Sequence, residues 1–343
     1  AAGPRAAASE GAEGGGAGAA AGPARPATLA DLWKLLDDEL AEARAALTPP
    51  PPPVPVTWKA RRVASLDLGA PLLALAVGDL DGDGRGELVA LTERAVVVMS
   101  PARHGLVEKT RIAVPAEPAI VRPRDPVGAL AIAPADHGGP AEIWARSSSV
   151  GRGARYRLVD GTLHEVAPVD GFPFCPGHEV ELVPGRNYAE GPGGAGGAFL
   201  ARRCRDDLVD ERGRRLHAEA TVGVDGTLSL TVTTRCPPGA TDCPSDRTIV
   251  VDGAGVAMEI DDVDRDGRLE VITSAAGAPG DADAVIVRRL GPLALVPKPL
   301  FKRGFSGGIV ALGSGDVDGD GDRDVFAAVR LAGARKVDLW LLD

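Results

Sequence analysis

The nonapeptide Asp79-Leu80-Asp81-Gly82-Asp83-Gly84-Arg85-Gly86-Glu87 indicates how the chain is built, because its pattern occurs three times. The second copy is Asp262-Val263-Asp264-Arg265-Asp266-Gly267-Arg268-Leu269-Glu270, and the third is Asp316-Val317-Asp318-Gly319-Asp320-Gly321-Asp322-Arg323-Asp324. Each copy has acids at positions 1, 3, 5 and 9 and glycine at position 6. The sequence therefore contains a repeated unit built around an acidic loop.

Alternate acidic positions in a tight loop direct several carboxylate oxygens towards one centre. Glycine at position 6 allows the sharp turn that also brings in the carbonyl of position 7. A centre lined by oxygen atoms suits a hard cation, and we predict three Ca²⁺ sites. The predicted ligand residues are Asp79, Asp81, Asp83, Arg85 and Glu87; Asp262, Asp264, Asp266, Arg268 and Glu270; and Asp316, Asp318, Asp320, Asp322 and Asp324.

An EF-hand is the competing calcium loop, and position 12 argues against it. That position is Ala90, Thr273 or Ala327, none of which offers the bidentate carboxylate that an EF-hand needs. A single copy of the motif could also be an acidic, solvated turn that binds no metal. Three copies in one register argue against that reading, since unscreened carboxylates this close would repel one another.

The residues around the first loop predict a four-stranded antiparallel blade. Its β-rich runs are Ala74–Gly78, Glu87–Thr92, Ala95–Met99 and Val107–Val114. Four short strands in about 55 residues are typical of a β-propeller. Aromatic residues make up only 3% of a chain that is 44% hydrophobic, so the expected core is Val, Leu, Ile and Ala.

A second, degenerate loop follows the first blade. Placing residues 129–133 under 74–78 aligns Asp136 with Asp81 and Glu142 with Glu87, but Pro134 and Gly138 replace two acids. We interpret this as a blade whose loop kept its shape and lost its metal.

One further blade has to fit between the second and third acidic copies. We place it around residues 178–234, with a first strand at Glu179–Val183, a glycine-rich loop at Pro184–Gly197 and a second strand at Ala198–Cys204. The expected fold is therefore an all-β propeller of five four-stranded blades, with six or seven left open. Residues 57–68 are expected to close the ring by pairing with the C-terminal strand.

The N-terminal part differs in composition from the propeller, which we assign to residues 57–343. Residues 1–27 are Ala/Gly-rich and predict a disordered tether, which is a candidate surface attachment. Residues 28–48 have apolar positions at helical spacing and predict one amphipathic α-helix. Residues 49–56 predict a stiff polyproline linker.

The three acidic loops, each between two strands, resemble those of FG-GAP (VCBS-type) repeats. These repeats form the calcium-binding blades of integrin α-subunit propellers and of many bacterial surface proteins. The resemblance implies that each loop joins the first and second strands of its blade, on the face away from the partner-binding face. It also implies a structural role for calcium. The integrin propeller has seven blades, whereas five are expected here.

That geometry would bring Cys175 and Cys204 together on the partner-binding face, and we pair them. This leaves Cys236 to pair with Cys243. Four free thiols and the two other connectivities remain open. Disulfides and weak calcium loops both point to an extracytoplasmic location. No signal peptide begins the sequence, which we interpret as a processed or trimmed form.

Composition also restricts the partners. The formal net charge is −10, whereas nucleic acids and anionic membranes are bound by clustered Lys and Arg. No apolar run is long enough for a transmembrane segment. The G-x-S-x-G match at residues 304–308 precedes a strand rather than a helix, so we predict no catalytic site.

Two functions remain. The first is a protein-binding, adhesion or scaffold propeller stabilised by calcium. The alternative is a carbohydrate-binding or carbohydrate-degrading propeller attached to a surface enzyme system. Sugar sites generally stack on aromatic rings. The chain has only four tryptophans and two tyrosines, so it supplies few such rings. We therefore prefer the first function.

Overall fold

Strands alone form the regular secondary structure in the part of the chain that the computed structural model describes. That part is residues 55–343 apart from 103–104, 134–139, 191–196, 211–213, 237–242, 244–245, 278–280, 292–295, 297 and 332–335. The predicted tether (1–27), the predicted helix (28–48) and most of the linker (49–56) lie outside the described residues. Within the described residues no helix is long and apolar enough to cross a bilayer.

The strands form five antiparallel sheets, which are the blades of a propeller. Blade 1 contains β2 (Leu72–Gly78), β3 (Glu87–Thr92), β4 (Ala95–Ala102) and β5 (Gly105–Ala113). Blade 2 contains β6 (Gly128–Ala133), β7 (Glu142–Ser147), β8 (Gly153–Val159) and β9 (Thr162–Val169). Blade 3 contains β11 (Ala198–Val209), β12 (Arg215–Gly223), β13 (Leu228–Thr234) and β14 (Arg247–Val251), with the two-residue β10 (Ala189–Glu190) beside β11. Blade 4 contains β15 (Ala254–Asp261), β16 (Glu270–Ala275), β17 (Asp283–Arg289) and β18 (Phe301–Phe305). Blade 5 contains β19 (Gly308–Gly315), β20 (Asp324–Arg330), β21 (Val337–Leu342) and β1 (Ala60–Leu66).

Blade 5 is assembled from both ends of the propeller sequence. β1 pairs antiparallel with β21, from Ala60 opposite Leu342 to Leu66 opposite Val337. The Lys59 N–H also donates to the Asp343 carbonyl at 2.7 Å. The fold is therefore an all-β propeller with five blades, as predicted. This closure covers the edge that β21 would otherwise present to solvent.

Small apolar side chains fill the spaces between neighbouring blades. Strand β3 is buried along its whole length because one of its faces packs towards blade 2 and the other towards blade 5. Equivalent apolar clusters join blade 4 to blade 5 and blade 3 to blade 4. Burial of both faces explains why such strands are continuous Val, Leu and Ala runs rather than alternating patterns.

The predicted bounds of the third blade were wrong. Ala198–Val209 is the innermost strand of this blade rather than its second strand, and the blade continues to Val251. The stretch predicted as a first strand, Glu179–Val183, makes only isolated bridges through Val180 and Leu182. A strand starting at Ala198 was predicted, but it was expected to end at Cys204, whereas β11 continues through Arg205 and Asp206 to Val209. Arg203 and Arg205 form ion pairs with the neighbouring blade 4, and Arg202 and Asp206 form ion pairs within blade 3.

A long connection fills the space between blades 2 and 3. We call residues 170–190 the wedge segment. Its Phe172 and Phe174 pack with Ala129 of β6 and Phe199 of β11. The face of blade 3 towards this segment is polar, since His217, Glu219 and Thr221 alternate along β12 with apolar residues that pack on blade 4. Blades 2 and 3 are thus joined through the wedge segment.

Candidate metal centres

Each acidic loop joins the innermost strand of a blade to the next strand outward. The residue before position 1 pairs with position 9 in all three, as Gly78 with Glu87, Asp261 with Glu270, and Gly315 with Asp324. Ala133 pairs with Glu142 in the same way in blade 2. The degenerate copy therefore has the predicted register, although its residues 134–139 lie outside the described part.

The first aspartate of each loop organises the backbone rather than pointing freely outward. Asp79 accepts the N–H groups of Gly82 at 2.7 Å and Gly84 at 2.9 Å. Asp316 accepts those of Gly319 at 2.7 Å and Gly321 at 2.8 Å. In blade 4 the acceptor is Asp262, and the donors are Asp266 at 3.1 Å and Gly267 at 3.0 Å.

Position 4 explains the difference in blade 4. Gly82 and Gly319 have φ of 80° at this position, which glycine adopts without cost. Arg265 occupies the same left-handed region with φ of 56°. A non-glycine residue there carries strain of about 1–3 kcal/mol.

Positions 5, 7 and 9 also repeat their hydrogen bonds. In each loop the N–H of position 7 donates to the carboxylate of position 5. The pairs are Arg85 to Asp83 at 2.8 Å, Arg268 to Asp266 at 2.9 Å, and Asp322 to Asp320 at 2.7 Å. The carboxylate of position 9 accepts a hydrogen bond from the N–H of position 2. The distance is 3.0 Å at Glu87, 3.1 Å at Glu270 and 3.4 Å at Asp324.

Three carboxylates converge in each loop. One oxygen from each lies within 4.8 Å of the others, in the sets Asp79, Asp81 and Glu87; Asp262, Asp264 and Glu270; and Asp316, Asp318 and Asp320. Asp83 and Asp266 are outside these sets, as are Asp322 and Asp324. The Oδ1 of Asp264 is buried without a hydrogen-bond partner. Several acidic oxygens around one point, one of them unsatisfied, fit a hard divalent cation.

The loops differ in the basic residues that reach them, and the sequence reasoning missed these residues. Lys109 of β5 lies 2.6 Å from Asp81 and 3.3 Å from Glu87. Arg289 of β17 contacts Asp264 and lies 3.2 Å from Asp266. In blade 5, Arg265 of the blade 4 loop contacts Asp322.

Burial and like charges disfavour ionised carboxylates in these loops. Burial, together with the charges of Asp318, Asp343 and Asp320, raises the pKa of Asp324 to about 7, although the hydrogen bond from the Val317 N–H lowers it. Burial likewise raises the pKa of Glu87 and of Glu270. The hydrogen bond from Lys109 lowers the pKa of Asp81. A bound cation would favour the ionised form of every carboxylate in the cluster.

Neighbouring loops also contact one another. The Gly86 N–H donates to the Asp316 carbonyl at 2.7 Å, which links blade 1 to blade 5. A Cβ at Gly86 would lie 2.7 Å from that carbonyl oxygen. Arg265 donates to the Asp320 carbonyl at 3.2 Å, which links blade 4 to blade 5. The blade 5 loop is thus held from both sides.

A cavity of about 1000 Å³ occupies the ring centre and opens beside the loops. Arg203 of β11 crosses it, donating to the carbonyls of Leu130 at 2.7 Å and Leu75 at 3.0 Å. Its Nε lies 3.1 Å from Glu259 of β15. One guanidinium therefore connects the innermost strands of four blades. Burial raises the pKa of Glu259 to about 6, against the Arg203 charge.

Both disulfides have the predicted pairing, Cys175–Cys204 and Cys236–Cys243. Their predicted surroundings were partly wrong. Cys204 lies in the middle of β11, where its cross-strand neighbour is Glu219, and not at a turn on the partner-binding face. The first bridge fastens the wedge segment to blade 3. The second closes the connection between β13 and β14.

No protein-family model matches the chain, and comparison with curated proteins gives no significant match. Among solved structures, it is similar to an arginine-to-alanine triple mutant of AofleA from Arthrobotrys oligospora. The sequence identity is 11% and the TM-score 0.42, over 80% of this chain and 83% of that chain. It is also similar to the WD40 domain of SCAP from fission yeast, with 10% identity and a TM-score of 0.29 over 83% of this chain and 72% of that chain. Neither likeness bears on function.

Proposed function

We propose that the chain is an extracytoplasmic propeller of the FG-GAP or VCBS type, stabilised by calcium, that acts as a protein-binding scaffold. The observation that carries this proposal is the repeated loop geometry. Three loops in equivalent places bring three carboxylates within 4.8 Å, and the same backbone hydrogen bonds shape each of them. Two disulfides support a location outside the reducing cytosol.

Calcium would act here on stability rather than in recognition. The loops lie at the inner ends of the blades and contact one another, so neutralising their carboxylates would stabilise the ring. Native mass spectrometry of the full chain, with and without a chelator, tests the metal. We expect three calcium ions per chain and a lower melting temperature after chelation. A chain that binds none, with an unchanged melting temperature, would exclude calcium as the structural ion.

The face opposite the loops is the proposed partner surface. Strand direction places there the connection that follows β5 and the turn between β12 and β13. Ile120 and Val121 are exposed in the first, and Val224 is exposed in the second. Leu331, after β20, and Val256, near the start of β15, are exposed at the same end of their blades. Apolar side chains exposed on one face suit a protein partner.

Site-directed photocrosslinking tests this face. A photoreactive residue at Ile120 should capture a protein from the native extract in the presence of calcium. The matched control is Val159, which is exposed in the turn between β8 and β9 on the loop face. Capture of the same protein from both positions, or from Val159 alone, would contradict the proposed face.

The aromatic residues give no support to the carbohydrate alternative. Trp58 packs edge-on against Phe301, and Trp340 packs edge-on against Phe305. Arg155 lies over the ring of Trp144 at 5.0 Å, and Tyr156 is fully buried. Trp33 lies outside the described residues. The described tryptophans thus have protein partners on their rings, which leaves less aromatic surface for a sugar.

A further inference from the structure

Four potential metal ligands meet where the wedge segment is fastened to blade 3. Cys204 Sγ, a ring nitrogen of His217 and a carboxylate oxygen of Glu219 lie within 4.8 Å of one another. Cys175 Sγ adds a fourth atom because it is bonded to Cys204. None of these residues belongs to an acidic loop. They therefore form a second, chemically different cluster.

This set of atoms matches the preferences of zinc. Two thiolates, one imidazole and one carboxylate are the ligand types of tetrahedral Zn²⁺ sites. Zinc bonds of about 2.0–2.3 Å place the ligand atoms of one ion roughly 3.3–3.8 Å apart. The spread of up to 4.8 Å among Cys204, His217 and Glu219 needs a contraction of about 1 Å, and the two sulfurs have to separate to the same spacing once their bond is broken. Side-chain rotation can supply both movements.

Asp206 holds one nitrogen of the His217 ring. Its Nδ1 lies 2.7 Å from Asp206 Oδ1, and in the proposed site Nε2 is the nitrogen that binds the ion. Arg235 holds the same Asp206 oxygen at 2.6 Å. A carboxylate on the far nitrogen is the usual support of a zinc-bound histidine. Glu219 accepts a hydrogen bond from Arg202 at 2.7 Å through Oε2, so Oε1 remains for a metal.

We propose that reduction of the Cys175–Cys204 disulfide creates a zinc site formed by Cys175, Cys204, His217 and Glu219. A phosphine or dithiol reductant breaks the S–S bond by supplying two electrons, two protons enter, and two thiols form while the reductant is oxidised. One Zn²⁺ then displaces both thiol protons to solvent. Cys175, Cys204 and His217 line the central cavity, which gives the ion a path.

The wedge segment would therefore stay attached to blade 3 in both redox states. The disulfide holds the wedge segment to β11 under oxidising conditions, and zinc holds the same residues when the thiols are free. This matters because the wedge segment joins blades 2 and 3. The site would keep the ring closed in the chain before its disulfide forms.

Zinc titration of the full chain tests the proposal. Cys236→Ser and Cys243→Ser remove the other bridge, excess calcium saturates the acidic loops, and a phosphine reductant opens Cys175–Cys204. We expect one Zn²⁺ per reduced chain and none per oxidised chain. Co²⁺ in place of zinc should give a thiolate-to-cobalt charge-transfer band. Zinc should also restore the melting temperature that reduction lowers.

Variants separate the four ligands from unrelated groups. Cys175→Ser with Cys204→Ser should abolish binding, and His217→Ala should weaken it at least tenfold. Asp206→Asn, at a positioning residue, should weaken binding and keep the cobalt band. His164→Ala, at an exposed site on β9, is the matched control and should change nothing. No zinc on the reduced chain, equal binding by the serine variant, or unfolding that zinc does not reverse would overturn the proposal.

Discussion

Arg289 lies directly opposite Glu270 in the pairing of β17 with β16 and donates its Nε–H to the carboxylate at 3.0 Å. Arg157 occupies the same place opposite Glu142 in blade 2, and the two side chains form an ion pair. Blade 2 has lost acids from its loop and keeps this arginine. Blade 4 has both the complete acidic pattern and the arginine. A cation bound at the blade 4 loop would have to share these carboxylates with the guanidinium.

Replacing Arg289 should therefore improve calcium binding at blade 4. Arg289→Ala removes a positive charge that contacts Asp264 and lies 3.2 Å from Asp266. We expect the dissociation constant of this site to fall about tenfold, which corresponds to about 1.4 kcal/mol. Calorimetric titration measures the change. Arg288→Ala, one residue earlier, is the control and should leave affinity unchanged.

The same substitution should destabilise the calcium-free protein. Without the arginine, the buried Glu270 loses its cationic partner. In chelator, the melting temperature of Arg289→Ala should thus be below that of the wild type. Calcium should raise the melting temperature of the variant by more than that of the wild type. An equal calcium-induced shift in both proteins would show that Arg289 does not occupy the cation position.

The repeat pattern predicted the three loops and the blades that carry them, because the loop chemistry is local in sequence, and the spacing of the copies left room for the remaining blade. The hydrogen bonds that backbone N–H groups donate to the carboxylates of positions 1, 5 and 9 all lie within one nine-residue loop. Lys109 and Arg289 escaped prediction because they lie on other strands. Arg289 could have been found by following the strand register from Glu270 to the third strand. Lys109 lies at a bulge in the pairing of β4 with β5, which no sequence pattern marks.

The third blade shows where the pattern stops being informative. The predicted strand Ala198–Cys204 was too short and was placed second in the blade, because the arginines of β11 are stabilised by residues far away in sequence. Arg203 is paired with Glu259, and Arg205 lies 3.2 Å from Asp261. Both acids belong to the innermost strand of blade 4. Only the assembled ring brings these charges together, so local periodicity does not place this strand at the ring centre.

The raised pKa of Asp324 predicts that the calcium-free protein becomes less stable as the pH rises. The carboxyl has a usual pKa of 3.8, which is raised to about 7 in the fold. Between these values the folded state holds a proton that the unfolded chain has lost. Stability from this group is therefore complete below about pH 3.8, declines up to about pH 7 and is constant above it.

Asp324→Asn isolates this contribution. The melting temperature of the wild type minus that of the variant, measured in chelator, should decrease from pH 4 to about pH 7. Calcium should abolish or reverse the decrease, since it binds the ionised carboxylate. A difference that does not vary with pH in chelator would contradict the raised pKa.

Arg203 and Glu259 should be strongly coupled in stability. Arg203→Leu leaves a fully buried carboxylate without its partner and should cost about 3–5 kcal/mol. Adding Glu259→Leu should recover part of that loss. Urea denaturation of the single and double variants measures the coupling. Arg61→Leu, which removes an exposed ion pair with Asp343, is the control and should cost about 0–1 kcal/mol. Additive effects of the two core substitutions would refute the coupling.

Gly86 of the blade 1 loop should control calcium binding at blade 5. In Gly86→Ala the new Cβ would lie 2.7 Å from both the Asp316 carbonyl oxygen and Val77 Cγ1. Asp316 has to move, and the fold should lose about 1–3 kcal/mol. Gly277→Ala, with nothing within 4 Å, is the control and should be neutral.

A double variant assigns the effect to one loop. Asp318→Asn should remove the blade 5 ion, so Gly86→Ala combined with Asp318→Asn should bind no less calcium than Asp318→Asn alone. Native mass spectrometry gives the stoichiometry of each protein. If the combination loses a further ion, Gly86 acts on its own loop through Glu87. The hydrogen bond from Gly86 to Asp316 would then be a packing contact without influence on the neighbouring site.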